Sequence, residues 1–292
     1  GGFLRNHPAL SAEKPAMGGF AVESMDWCQI FGTSWKMNPM TFVVFRGLLA
    51  SVVVGHQLAH ALDYRNQGWL YFIYFTHWTM ILGAFSECLL FYLSIEGLSQ
   101  KPSMRGPSIA APKLVQITLI LWHIVHPFSL IVRGLFWTSW LLERSSALED
   151  LQSFTYMDFY THGFGLFWLL LSFIFSNVPF SMCSGFRWCV TYSLVYIGWT
   201  LVHFYGKIGT PTPCDNYPQK ECPIYTKFDW HKPQLATIVG LLVCLVACPV
   251  VCTFYATLAA RCRGTHEQQS DSESKTEVHR SKDVEAAVDA GI

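Results

Sequence analysis

Charged residues are scarce in this chain. They make up 14% of its 292 residues, and the formal net charge at pH 7 is zero. Soluble domains contain about a quarter charged residues, so the scarcity favours a membrane protein. The balanced charge argues against a nucleic-acid partner, which would require a basic surface. Zinc-finger cysteine spacings, phosphate-binding loops and dinucleotide fingerprints are also missing, so the motifs predict neither a cofactor nor a metal site.

Apolar residues dominate instead, at 51% of the chain, and 15% are aromatic. A membrane-crossing helix needs about 20 mostly apolar residues. Six segments satisfy this requirement, and none alternates as a membrane β-strand does. The predicted spans are 40–62, 69–93, 114–140, 160–180, 187–206 and 234–260. We therefore predict an all-α fold, a polytopic membrane helical bundle of about six helices over residues 40–260.

The two ends of the chain lack comparable apolar stretches. Residues 1–39 contain no signal-peptide pattern, and we predict that they form a cytosolic N-terminal segment. Residues 261–292 are polar, charged and free of aromatic residues. That composition predicts a disordered C-terminal tail.

The loop charges indicate how the bundle is oriented. The loop 94–113 carries three basic residues, and the loop 141–159 carries four acidic residues and one arginine. Because cytosolic loops are enriched in lysine and arginine, this distribution places both termini in the cytosol. The loop 207–233 contains four lysines and opposes this assignment. We expect an integral protein of the plasma membrane or the endoplasmic reticulum.

The same loop contains the stretch "CDNYPQKEC", with Cys214 and Cys222 at its ends. A disulfide between them would require a lumenal or extracellular setting, which agrees with cytosolic termini. The alternative is a pair of free thiols.

Several ionisable residues fall inside the predicted spans. Arg46, Glu87 and Arg133 lie toward helix ends, and we predict that they extend to the lipid headgroups. His56 and His60 are one turn apart on the first span, so they share a face. Facing histidines in a bundle could hold haem or a metal, although histidines in membrane helices more often hydrogen-bond a neighbour.

One threonine and one histidine raise the question of catalysis. Thr76 lies in "WLYFIYFTHW", seven residues after Trp69 and so about 10 Å below the outer interface. His162, in "YTHGF", enters its span from the same side at a depth of about 4 Å. Asp158, four residues earlier, could orient its imidazole. These positions permit a threonine nucleophile activated by histidine; a hydrogen bond from Thr76 to its own helix is the ordinary alternative.

Three segments carry a family resemblance: "GWLYFIYFTHWTMIL" (68–82), "YMDFYTHGFGLFWLLLSFIFSNVPF" (156–180) and "PIYTKFDWHKP" (223–233). The sequences of these segments and their order along the chain resemble those of the Rolling stone-like membrane proteins over residues 34–260. The resemblance implies a role in cell fusion, as in myoblasts.

The same segments are distantly similar to the androgen-induced-protein family of transmembrane threonine hydrolases. That family cleaves fatty acid esters of hydroxy fatty acids, and the likeness implies Thr76 as nucleophile and His162 as its base. The cysteine-bearing loop, the longer tail and the sequence His77-Trp78 after the threonine depart from that family's pattern.

Three functions therefore compete. The first is a multi-pass membrane protein of cell fusion or surface interaction, with other membrane proteins as partners. The second is an intramembrane hydrolase acting on a lipid-ester substrate in the bilayer. A haem-binding, metal-binding or transport protein comes third.

Overall fold

A computed structural model describes residues 26–99, 113–143, 159–211, 214, 216–225 and 228–262. This part of the chain is all-helical, with 83% of residues in helix and no strands. The prediction of an all-α fold is thus confirmed. The predicted tail beyond Cys262, most of the N-terminal segment and Asp158 lie outside the described residues.

Seven helices follow one another along the described chain. The first is short, and the fifth opens with a π-helical turn, Tyr160–Phe164. A second π-helical turn, Val243–Ala247, lies within the seventh. The helices are α1 (Trp27–Gly32), α2 (Pro39–Asp63), α3 (Phe75–Ser99), α4 (Lys113–Glu143), α5 (Tyr160–Ile174), α6 (Met182–Tyr205) and α7 (Pro233–Cys262).

Four of these helices are long and apolar enough to cross a membrane. They are α2, α3, α7 and the part of α4 from Lys113 to Thr138. The α5 helix is shorter, with 5 π-helical and 10 α-helical residues. The α6 helix has the length, 24 residues, but its serine, threonine, tyrosine and histidine residues make it more polar. The helices therefore support a membrane protein, with four such spans where the sequence predicted about six.

The second predicted span, 69–93, is displaced in the structure. A 3₁₀ helix occupies Arg65–Ile73, and Gly68 within it has a φ of 56°, a conformation that favours glycine. Tyr74 is extended, so α3 begins only at Phe75 and continues to Ser99. Thr76 therefore lies in the first turn of its helix, and the α-helical rise counted from Trp69 does not apply to residues 69–74.

The fourth predicted span, 160–180, also ends early. Its helix stops at Ile174, and residues 176–181 are non-helical. Pro179 lies in this stretch, and proline interrupts the hydrogen bonding of a helix. The Ser181 side chain then accepts the N–H of Ser184 and caps the start of α6.

The bundle is built around α3 and α4. The α3 helix contacts α1, α2 and α4, and α4 also contacts α5 and α6. A close approach of two glycines joins α1 to α3, since a Cβ on Gly97 would lie 2.9 Å from the Gly32 Cα. The core between the helices includes Trp122, Phe128 and Tyr255, each fully buried.

The charged residues of the spans do not extend to the headgroups as predicted. Arg46 is 1% exposed, Glu87 0% and Arg133 6%. Arg46 and Glu87 form an ion pair at 3.3 Å between α2 and α3. Ser172 on α5 donates to Glu87 at 2.6 Å and contacts Arg46. The prediction is wrong because it considered each helix alone, whereas the facing helices supply polar partners inside the bundle.

Candidate functional site

Thr76 meets the loop that precedes α7. The Tyr225 hydroxyl of that loop accepts the N–H of Phe75 at 3.0 Å. The backbone and the side chain of Thr76 also lie close to this oxygen. The first N–H groups of a helix have no partner within the helix, so a phenol oxygen from a distant loop satisfies this need at the start of α3.

His162 has a different set of neighbours. Its ring stacks on Phe136 with 3.4 Å between centroids, and its carbonyl accepts the indole N–H of Trp137 at 2.6 Å. Both neighbours belong to the last turns of α4. These two contacts of His162 lie on α4, whereas the contact described for Thr76 lies on the loop before α7. Asp158, the predicted orienting group, lies outside the described residues.

His77, the residue next to Thr76, is part of a buried aromatic cluster. Its ring stacks on Tyr71 at 4.0 Å, and its Nδ1 lies 2.6 Å from the Tyr71 carbonyl. The Tyr71 hydroxyl in turn contacts His60 and Gln57, each at 2.9 Å. This cluster fastens the 3₁₀ helix to α2. No group of three or more metal-ligating side chains occurs in the described ranges.

The loop between α6 and α7 is closed by a disulfide between Cys214 and Cys222. The loop is also held by hydrogen bonds to Asp229, a buried residue that is 4% exposed. The Tyr217 hydroxyl donates to Asp229 at 3.0 Å, and His231 Nδ1 lies 2.8 Å from the same carboxylate. Burial acts to raise the pKa of Asp229, but the hydrogen bonds from His231 and Tyr217 outweigh it and lower that pKa.

The same loop is attached to the end of α6. The indole of Trp230 donates to Thr200 at 3.0 Å, and His203 contacts the carbonyl of Gly209 at 2.8 Å. The cavity enclosed between loop and helix measures about 10 Å³, roughly the space that one water molecule requires. The loop is therefore packed directly onto the helix ends.

A polar stripe on α4, missed in the sequence, lies deeper in the bundle. It comprises Trp122, His126, Ser129 and Arg133, whose spacings of four, three and four residues place them on one helix face. All four are at most 6% exposed. The side-chain polar atoms of the first three have no hydrogen-bond partner among the described residues. The spacing was readable in the sequence, but only the packed bundle shows that this face is buried.

Comparison with known proteins identifies no relative of this chain. No family model, no curated protein and no solved structure matches it. The resemblance to Rolling stone-like proteins therefore stands on the quoted segments alone. Three regions with distinct chemistry come from the structure itself: the start of α3 around Thr76, the disulfide-closed loop and the polar stripe of α4.

Proposed function

We propose that this chain is a six-span surface protein of the Rolling stone-like group that acts in cell fusion or adhesion through its disulfide-closed outer loop. The observation that supports this most is the set of contacts that hold the described residues of that loop. It is closed by Cys214–Cys222 and hydrogen-bonded to α3 and α6. Ordering a side chain at an interface costs about 0.5–1.5 kcal/mol, so a loop ordered in advance suits recognition.

The directions of the helices favour six crossings. The start of α3 meets the loop after α6 through Phe75 and Tyr225. The start of α5 meets the second half of α2, where Tyr160 stacks on His56 at 3.5 Å. At the opposite side, the indole of Trp35, just before α2, donates to the Ile174 carbonyl at the end of α5. These contacts fit helices that alternate in direction from α2 to α7.

The short α5 can complete a crossing with the chain that follows it. Its 15 residues rise about 22 Å at 1.5 Å per residue. The six non-helical residues 176–181 can add up to about 20 Å. Together they exceed the hydrocarbon core of about 30 Å. A disulfide requires an oxidising compartment, which orients this bundle with the loop outside and both termini in the cytosol.

The test is a charge reversal at the exposed tip of the loop. Lys220 is exposed in the 3₁₀ turn Gln219–Glu221, and Lys36, also exposed, lies on the opposite side of the bundle. We expect Lys220→Glu to reduce fusion or adhesion of expressing cells several-fold and Lys36→Glu to leave it unchanged. Flow cytometry on an epitope-tagged protein verifies equal surface display. Equal activity of both variants at equal display would refute the role of the loop.

A lipid-ester hydrolase is the second candidate, and one observation favours it. The backbone N–H of Phe75 donates to the Tyr225 oxygen, and Thr76 lies beside the same oxygen. A backbone N–H aimed at an oxygen next to the nucleophile is one of the donors that an oxyanion hole uses. In this mechanism a substrate carbonyl replaces the phenol, and Thr76 attacks it while His162 takes the hydroxyl proton. His162 then gives this proton to the departing alcohol as the ester bond breaks, and water hydrolyses the acyl-threonine that remains.

Activity-based labelling tests the hydrolase. Purified protein would be treated with a fluorophosphonate probe beside the variants Thr76→Ala and His162→Ala. The hydrolase requires labelling of the wild type that both variants lose while they remain folded. Tyr225→Phe should label faster than the wild type because the N–H of Phe75 loses its phenol hydrogen bond. A folded wild type that does not label contradicts the hydrolase.

A further inference from the structure

Arg133 is a buried cation without a carboxylate partner among the described residues. Its Nε donates to the Thr161 carbonyl at 3.1 Å and its Nη1 to the Ser129 carbonyl at 3.0 Å. A guanidinium has five N–H groups, so these two bonds leave others without an acceptor. Its Nη2 lies against Gly165, where a Cβ would collide with it. The glycine thus makes room for the guanidinium.

The buried charges of the helices do not cancel. Two guanidinium groups, Arg46 and Arg133, and one carboxylate, Glu87, are buried in the described helices. Glu87 pairs with Arg46, so the unbalanced positive charge belongs to Arg133. A buried charge is costly unless it is paired. A bound anion would compensate the excess positive charge of Arg133.

Three buried residues that carry hydroxyl groups lie near Arg133. Ser129 and Thr161 supply the carbonyls that Arg133 bonds, and Tyr255 is close enough to interact with its charge. Each of these three side chains is at most 4% exposed. None of their hydroxyl groups has a hydrogen-bond partner within the described residues. Hydroxyl donors beside a guanidinium are the groups that bind the oxygens of a carboxylate or phosphate.

The position in the bundle indicates where the anion comes from. Arg133 is ten residues before Glu143, where α4 ends, and so about 15 Å from that end of the helix. Phe164, next to Gly165, is 46% exposed on the outer surface of the bundle. It belongs to the π-helical turn Tyr160–Phe164, and such turns frequently mark functional sites. An acyl chain lying on Phe164 would bring its head group to Arg133.

We propose that Arg133, with the hydroxyl groups of Ser129, Thr161 and Tyr255, binds the oxyanion head of a membrane lipid, a carboxylate or a phosphate. The lipid enters from the bilayer beside the π-helical turn, and its oxygens accept the remaining N–H groups of Arg133. This site is separate from both the outer loop and Thr76.

Binding to the delipidated, detergent-purified full chain tests the proposal, with native mass spectrometry and thermal shift as readouts. The probes are sodium oleate, dioleoyl phosphatidate, methyl oleate and inorganic phosphate. We expect saturable binding of oleate, phosphatidate or both. Methyl oleate lacks the charge and inorganic phosphate lacks the acyl chain, so neither should bind comparably. Equal binding of methyl oleate would overturn the role of the oxyanion, and equal binding of inorganic phosphate would overturn the lipid source.

Variants locate the binding at Arg133. Arg133→Met should weaken it about 10- to 100-fold, the range expected for lost charge-assisted hydrogen bonds. Gly165→Ala should also weaken it, because its Cβ displaces the guanidinium. Gly163→Ala is the matched control, since a Cβ there has no neighbour within 4 Å. If Arg133→Met does not fold, the affinities of Gly165→Ala and Tyr255→Phe test the site instead. Unchanged lipid affinity in both of these folded variants would refute the site. A wild type that binds none of the probes would also refute it.

Discussion

Replacing Glu87 by alanine removes the only carboxylate that the structure shows beside Arg46. The pair joins α2 to α3 at 3.3 Å, and both side chains are 1% exposed. Ser172 adds α5 to the group by donating to the second carboxylate oxygen at 2.6 Å. The variant therefore leaves a buried guanidinium whose remaining polar side-chain contact among the described residues is the Ser172 hydroxyl, beside the rings of Phe42 and Trp122.

The expected loss of stability is large for a single substitution. Removing one partner of a buried ion pair costs about 3–5 kcal/mol, because the other charge stays buried without compensation. Ser172→Ala removes only a neutral donor to the carboxylate, so its effect should be smaller, about 0.6–2 kcal/mol. Glu87→Ala should therefore destabilise the protein more than Ser172→Ala, because it leaves a buried charge without a partner and not because the side chain it removes is larger.

Reversible unfolding of purified protein in mixed micelles, followed by circular dichroism at increasing dodecyl sulfate, measures both effects. Replacing both members, as Arg46→Met with Glu87→Met, should recover most of the loss, because two apolar side chains of similar length leave no unpaired charge. A Glu87→Ala variant within about 1 kcal/mol of the wild type would refute the reasoning. So would a double variant that is less stable than either single one.

Three further predictions concern the loop between α6 and α7. Because hydrogen bonds lower the pKa of Asp229, its stabilisation is complete above about pH 4 and is lost as the pH falls through the lowered pKa. Loop hydrogen exchange, corrected for intrinsic rates, should show this loss, and Asp229→Asn should remove the pH dependence. Tyr225→Phe should speed exchange of the Phe75 amide, which loses its acceptor; unchanged protection would contradict that hydrogen bond. Gly209→Ala should destabilise the loop by about 1–3 kcal/mol, since Gly209 has a φ of +75° and its Cβ would meet Gln219; proteolysis rates report this.

Local sequence features determined the fold class and some helix ends. Apolar stretches long enough to span a bilayer occur repeatedly, and most of them are helices in the structure. Asn38 followed by Pro39 predicts a helix start by its chemistry, and its side chain caps α2 by accepting the N–H of Thr41. The start of α3 was not readable in this way. Residues 69–74 are as apolar as the helix that follows, and only the extended backbone of Tyr74 separates them from it.

The chemistry of the interior was decided by tertiary structure. The sequence determines how far Arg46, Glu87 and Arg133 lie along their helices, but not which helix faces them. That facing relation makes Arg46 and Glu87 a pair and leaves Arg133 without a carboxylate among the residues that the structure describes. Likewise, the sequence predicts similar depths for Thr76 and His162. Which residues contact them depends on how each helix is rotated about its own axis. Rotation is set by how all the helices pack together, and no single segment contains that information.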